Sequence, residues 1–250
     1  MNKVIIHVKN LTASYEGETI LEKINFKVNK GEIFAILGGS GCGKSTLMKH
    51  LIGLYAPETG SILIDGRDIV TAMGKDRFEI IRKFGVMYQT GALFGSMTIL
   101  ENTRLPLEEF TDLPKDIINI VALMKLKLVG LMGFENHMPS ELSGGMQKRA
   151  AIARAMSLDP KIIFLDEPSA GLDPITSSEL DELILNLSRS LKITFIIVTH
   201  ELPSIFAIAD RVIMLDKKIK GIAAIGKPQY LKEHSDNEWV RNFFNRNKQC

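Results

Sequence analysis

Nine consecutive residues, Gly38-Gly39-Ser40-Gly41-Cys42-Gly43-Lys44-Ser45-Thr46, combine four glycines with a lysine and three hydroxyl side chains. The apolar run Ile33 to Leu37 precedes them, and a helical pattern with Leu47, Leu51 and Leu54 on one face follows. A strand, a glycine-rich turn and a helix N-terminus in that order make a phosphate cradle. The glycines allow positive φ, so successive N–H groups turn inward, and the helix expected from about Lys44 adds the positive end of its dipole. In such a cradle Lys44 reaches the β- and γ-phosphates and the Ser45 hydroxyl faces Mg²⁺. Cys42 reads as a small residue that fits the turn; a thiol open to oxidation is the alternative.

A second group of residues suits the other half of phosphate chemistry. Ile162-Ile163-Phe164-Leu165 is apolar throughout, as a central parallel strand requires, and it ends in Asp166-Glu167. Ligands of open α/β sheets gather at the carboxyl ends of strands, which predicts these carboxylates beside the cradle. Asp166 suits a Mg²⁺ held through water. Glu167 suits a general base, or a group that orients water in line with a γ-phosphate, while Lys44 and the metal stabilise the spreading charge. A solvated strand end is the plain alternative. A further strand, Ile193 to Val198, ends in Thr199-His200, where His200 is either structural or a contact to the γ-phosphate.

Between these groups Ser143 is a good N-cap, and Gly144 and Gly145 expose a helix N-terminus to an anion. The helix that follows turns Ile152, Ala155 and Met156 inward and leaves Lys148, Arg149 and Arg154 elsewhere.

The elements that must position these residues are legible in outline. Val4 to Val8 and Ile24 to Val28 are short strands of a small antiparallel layer, and Ser61 to Ile64 is another strand between tight turns. Tyr15, in a polar stretch before the cradle, is either a half-buried loop tyrosine or a platform for a purine ring. Residues 76–83 read as a short basic helix and Lys83 to Tyr88 as a strand ending at Gln89. From Thr90 to about Ser157 the spacing turns helical, a helical insertion, with Pro114 placed for a first turn. Within it Leu93, Phe94, Met97 and Ile99 are hard to hide; they pack on their own subdomain or form a docking surface for another protein. Pro228 onward is helical, and its pairs Trp239/Phe243 and Val240/Phe244 either fold back on their own domain or make a subunit contact.

Composition bounds the function. With 250 residues, 45% hydrophobic and 24% charged, the chain is a folded soluble protein of one domain plus elaborations. A net charge of +2 gives no footprint for nucleic acid. Two cysteines imply no disulfide framework and suit a reducing compartment. No run of about eighteen apolar residues occurs, so the chain is not expected to cross a membrane.

The ordered set of glycine loop, Gln89, Ser143-Gly144-Gly145, Asp166-Glu167 and His200 resembles the ATP-binding cassette (ABC) ATPase family, from about Val4 to Gly226. The resemblance implies an α/β P-loop NTPase with a RecA-like parallel-sheet core, an antiparallel β subdomain and a helical subdomain at about 90–158, with 227–250 as a helical extension. It implies ATP and Mg²⁺ as cofactors, Tyr15 as the adenine-stacking aromatic, Gln89 as the sensor of Mg²⁺ and of a membrane partner, and Asp173 as the residue linking two sites. His200 becomes the switch histidine, and Ser143-Gly144-Gly145 the signature that closes over ATP bound by the other subunit of a head-to-tail homodimer. Two residues depart from the pattern: Met146 stands where glutamine is usual and Ala170 where serine is frequent. Within the family, the segments Gln89–Asn102, Leu142–Ala150 and Glu167–Pro174 are most similar to ATPases that move phospholipid between the inner and outer membranes of Gram-negative bacteria. That similarity implies a permease docking near Leu93, Phe94 and Met97, an MCE-domain lipid-binding protein, a STAS-domain partner, and a peripheral place on the cytoplasmic face of the inner membrane. An importer of small polar solutes and a soluble ABC ATPase without a permease are the competing expectations.

Overall fold

The computed structural model describes residues 3–15 and 17–245, of Tyr15 the backbone alone. The chain forms two compact units, Met1–Ile80 with Thr194–Cys250, and Ile81–Ile193.

In the first unit β1 (Val4–Tyr15) pairs antiparallel with β2 (Glu18–Asn29) and β4 (Thr59–Ile64), and β4 pairs with the short β5 (Arg67–Asp68). This is the expected antiparallel layer, but β1 and β2 are each 12 residues long rather than the short strands expected. The pairing shifts register between Val8 and Leu11, with Asn10 at φ 47°. Such an irregularity re-aims side chains, so alternation breaks in the sequence while the ladder continues.

The other sheet of this unit runs β10 (Gly221–Gly226), β9 (Arg211–Asp216), β3 (Ile33–Gly38), β8 (Thr194–Val198). β3 lies between parallel neighbours, and all of β3 and β8 is buried. Burial on both faces is why these strands are apolar throughout, each large side chain contributing roughly 1.5–3 kcal/mol. β3 feeds α1 (Lys44–Leu51), whose Leu47 and Leu51 are buried. Leu54 does not share that face: Gly53, at φ 71°, follows the end of the helix and leaves Leu54 55% exposed. α2 spans Gly74–Ile81, two residues earlier than expected at each end. α7 (Leu202–Ile208), α8 (Pro228–His234) and α9 (Glu238–Asn245) close the unit. Leu231, Val240 and Phe244 join Ala35, Leu37 and Met214 in one core, so the apolar pairs of the tail fold back on their own domain.

In the second unit β6 (Phe84–Met87) and β7 (Ile162–Asp166) pair in parallel, Met87 opposite Leu165. The helices are α3 (Ile99–Phe110), α4 (Lys115–Leu128), α5 (Gly144–Ala155) and α6 (Pro174–Leu191). Pro114 is the N-cap of α4 rather than part of its first turn. α5 approaches β6 so closely that a Cβ on Gly85 would lie 1.9 Å from the Ala155 carbonyl oxygen. No helix among the described residues is long and apolar enough to cross a membrane.

Candidate functional site

In the first unit the glycine loop leaves the carboxyl end of β3. Gly38 sits at φ 149°, where a Cβ would meet Cys42 Sγ and the Leu215 carbonyl oxygen, each at 2.4 Å. Gly43, the N-cap of α1, is left-handed at φ 99°, and a Cβ there would come within 2.8 Å of Leu21. Contact and conformation together demand glycine at both positions. Gly39, Ser40, Gly41 and Ser45 are exposed, whereas Cys42 is buried and its thiol pKa is pushed up by desolvation. Cys42 is therefore a filler of the turn. The Lys44 amine donates to the carbonyl oxygens of Gly38 at 2.9 Å and Gly39 at 3.1 Å, spanning the loop. A cavity of about 220 Å³ opens over it, lined by Ile20, Gly41, Gly43, Lys44, Ser45 and Thr46.

β8 pairs in parallel with β3, Val198 opposite Ile36, so His200 follows the carboxyl end of the strand next to the one that carries the loop. Thr199 fixes this exit: its N–H donates to the Ile36 carbonyl oxygen at 3.4 Å, and its hydroxyl accepts the Glu201 N–H at 3.1 Å. His200 is exposed, with Nε2 3.5 Å from Glu201 Oε1. The side chain of Tyr15 lies outside the described residues.

In the second unit the carboxyl ends of β6 and β7 bring Gln89, Asp166 and Glu167 to one edge. Gln89 is exposed; Asp166 and Glu167 are half-buried. Glu167 is left-handed at φ 46°, a conformation that costs a residue with a Cβ roughly 1–2 kcal/mol. Tyr88 has its pKa raised by desolvation and by the Asp166 charge. No cluster of three His, Cys, Asp or Glu side chains able to hold a metal exists among the described residues. The Ser45 hydroxyl in the first unit and the Asp166 carboxylate in the second are each an oxygen donor of the kind Mg²⁺ takes.

Ser143 caps α5, its hydroxyl accepting the Met146 N–H at 3.3 Å. Met146, the departure from the family pattern, takes part through its backbone, so the cap survives the substitution. Gly145 is buried, and a Cβ on it would lie 2.4 Å from Thr176 Cγ2. Asp173 caps α6, accepting Ile175 N–H at 3.0 Å, Thr176 N–H at 3.1 Å and the Thr176 hydroxyl at 2.5 Å. These bonds, the Thr176 hydroxyl foremost, hold its carboxyl below the usual range.

The loop after Gln89 is held from inside. Arg154 donates to the carbonyl oxygens of Ala92 at 2.7 Å and Gly91 at 3.0 Å, with its guanidinium 6.0 Å from the centre of the Phe94 ring. The Asn102 amide, wholly buried, accepts Phe94 N–H at 2.8 Å and donates to the carbonyl oxygens of Phe94, Met97 and Thr98. Phe94 is left 49% exposed on this rigid support, Leu93 and Met97 are half-buried, and Ile99 is buried. A cavity of about 150 Å³ borders it, lined by Phe84, Val86, Pro106, Phe110, Arg154 and Leu158 among others. Lys148 departs from expectation: it is buried, and its amine donates to the Gln89 carbonyl oxygen. The signal was its place on the helical stripe of Gly145, Ile152 and Ala155.

A glycine loop between parallel strand and helix, an acidic pair ending another parallel strand, and a serine-capped helix define an ATP-binding cassette. A family model described as "ABC transporter" matches residues 21–170, and the chain belongs to this family of ATPases. It is 44% identical over 242 residues to the probable ribonucleotide transport ATP-binding protein mkl of Mycobacterium leprae, covering 97% of this chain and 69% of the relative. It is also 44% identical over 220 residues to the intermembrane phospholipid transport system ATP-binding protein MlaF of Haemophilus influenzae, covering 88% of this chain and 83% of that protein. Among solved structures, the dimeric post-hydrolysis state of the ATP-binding cassette MJ0796 bound to ADP and Pi superposes with a TM-score of 0.80 at 31% identity, covering 89% of this chain and 98% of that one.

Proposed function

We propose that this chain is the ATP-hydrolysing subunit of a transporter that moves phospholipid between the inner and outer membranes and so maintains outer-membrane lipid asymmetry. The observation that carries the cargo is the 44% identity to MlaF, over a relative of which the chain spans 83%. The name of mkl favours a second reading, a ribonucleotide or another small polar solute as cargo; the chain spans less of that longer relative, 69%.

In this reading residues 1–226 are the cassette, with a helical subdomain at about 90–158, and 227–250 an extension. The N–H groups of Gly38 to Thr46 and the Lys44 amine hold the phosphates of ATP, where developing charge needs fixed donors. Ser45, Asp166 and Gln89 would hold Mg²⁺, which would supply neutralisation of phosphate charge. Glu167 orients and deprotonates the attacking water, His200 contacts the γ-phosphate, and Tyr15 stacks on adenine. Ser143, Gly144 and Gly145 act on nucleotide held by a second copy of the chain, and Asp173 links the two sites. The homodimer sits on the cytoplasmic face of the inner membrane. A permease docks on Leu93, Phe94 and Met97, an apolar surface stiffened by Asn102 and Arg154 beside a cavity; MCE- and STAS-domain proteins complete the assembly, without nucleic acid.

The test is purification of the complex from membranes and its reconstitution in proteoliposomes. Co-isolated phospholipid, and ATP turnover that responds to phospholipid, support the reading. Turnover that responds only to ribonucleotide favours the second, and a chain that never co-isolates with a membrane protein overturns both.

A further inference from the structure

α5 carries a buried positive charge that no role yet described requires. Lys148 is 7% exposed and shares a helical stripe with the buried Gly145, Ile152 and Ala155. An ammonium in such a place must be paired, because desolvation disfavours its charge. Its hydrogen-bond partner is the Gln89 carbonyl oxygen, 59 residues away in the chain. The carboxylates of Asp166 and Glu167 favour the charged amine, against burial, which lowers its pKa. Arg154, also on α5, donates to the carbonyl oxygens of Gly91 and Ala92. The chain turns these groups toward the helix by left-handed conformations at Gly91, φ 73°, and Ala92, φ 48°.

A purely packing role would leave Gln89 indifferent to the loss of one bond, since Arg154 already fixes the loop two residues on. The Lys148 bond, however, falls on Gln89 itself. Fixing a residue's own carbonyl fixes its peptide plane and limits where its Cα–Cβ bond can point. Gln89 is exposed, so its direction depends on how its backbone is held.

We propose that Lys148 is a positioning residue: it ties the backbone of Gln89 to the serine-capped helix, so that the Gln89 side chain and the Ser143 cap move as one body. The proposal rests on the assignment of Gln89 to the metal given above. Lys148 touches no reacting atom in this account and acts through Gln89.

The test uses the full chain with Lys148→Met, which keeps length but loses the donor, and with Lys148→Arg and Lys148→Gln, which keep a donor. The Gly91 N–H donates to the Tyr88 carbonyl oxygen at 2.7 Å, so its hydrogen exchange reports on the loop without reference to ATP. In Lys148→Met, Gly91 exchange should rise about tenfold. kcat should fall about tenfold while the KM for ATP stays within about twofold, as for other residues that orient a ligand without touching substrate. Lys148→Arg or Lys148→Gln should restore both readouts. Unchanged Gly91 exchange in Lys148→Met, unchanged kcat, or failure of both donor variants to restore kcat overturns the proposal. Should Lys148→Met not fold, the donor variants and the wild type still decide, because a Gly91 amide that exchanges freely in the wild type excludes an anchored loop. Gln89→Ala separates the two claims. If it is fully active, the reading of Gln89 fails; if it is impaired while Lys148→Met is not, only the role of Lys148 fails.

Discussion

Thr176 stands in the space that a side chain on Gly145 would need: a Cβ built there lies 2.4 Å from Thr176 Cγ2. Thr176 cannot turn freely away, because its hydroxyl donates to Asp173 at 2.5 Å and its N–H to the same carboxylate at 3.1 Å. The cap of α6 and the second glycine behind Ser143 are thus mechanically joined within the second unit.

Gly145→Ala should therefore destabilise the protein by about 1–3 kcal/mol, as overpacking of a fixed neighbour does. Adding Thr176→Ser removes the methyl group but keeps the hydroxyl bond, and should recover most of the loss in a denaturant titration. If the double variant melts normally yet hydrolyses ATP slowly, Gly145 is needed for backbone approach to nucleotide as well as for packing. Full stability of the single variant would show that α5 and α6 adjust, against the contact described.

Glu167→Gln keeps the shape of the β7 exit and removes the basic carboxylate. ATP binding should persist while turnover falls by about 10²–10⁴-fold, the usual weight of a general base. The dimer should accumulate with ATP bound, measurable by size-exclusion chromatography with light scattering. Unchanged turnover would remove Glu167 from the water-activating role.

The glycine loop and the acidic strand end were legible because each is over-determined locally. Gly38 and Gly43 are required by contacts and by φ, and β3, β7 and β8 are apolar because they are covered. Ser143 was legible for the same reason, since a cap satisfies N–H groups two or three residues on, whereas the capping role of Asp173 came only with the structure. What escaped depends on distant partners. Lys148 reads as a charge off the inward face until the Gln89 carbonyl is known to lie against it. Leu54 fits a helical repeat until the left-handed Gly53 ends the helix. The full length of β1 is hidden by the irregularity at Asn10, where polar residues interrupt the alternation but not the pairing. Asn102 gave no signal of its own, because an amide that satisfies four loop groups looks like any polar residue in a helix.

Phe94→Asp tests the docking surface. The ring is 49% exposed, and its contact with Arg154 at 6.0 Å is a cation–π pair worth about 0.5–1 kcal/mol, so the isolated subunit should fold and hydrolyse ATP nearly as before. A carboxylate on an apolar docking surface should abolish transport and membrane co-isolation. Retained coupling in proteoliposomes would place the permease elsewhere.

His50 predicts how the first unit responds to acid. It is buried in α1, its Nδ1 3.0 Å from the Tyr55 carbonyl oxygen, and desolvation lowers its pKa more than that hydrogen bond raises it. The unfolded chain takes up the proton near pH 6.5, where the folded chain still resists it. Between those two pKa values the unfolded state binds more protons, so stability rises with pH. The contribution of neutral His50 is fully present above about pH 6.5 and is lost as pH falls through the lower folded value. His7, also lowered, mainly by burial with help from Lys27 and Lys9, adds a slope of the same sign. Denaturant titrations between about pH 5 and 7.5 should show stability falling toward acid, and His50→Gln should flatten that slope relative to His7→Gln. An equal slope in wild type and His50→Gln would show that His50 protonates as readily in the folded chain as in the unfolded one, against this account of its burial.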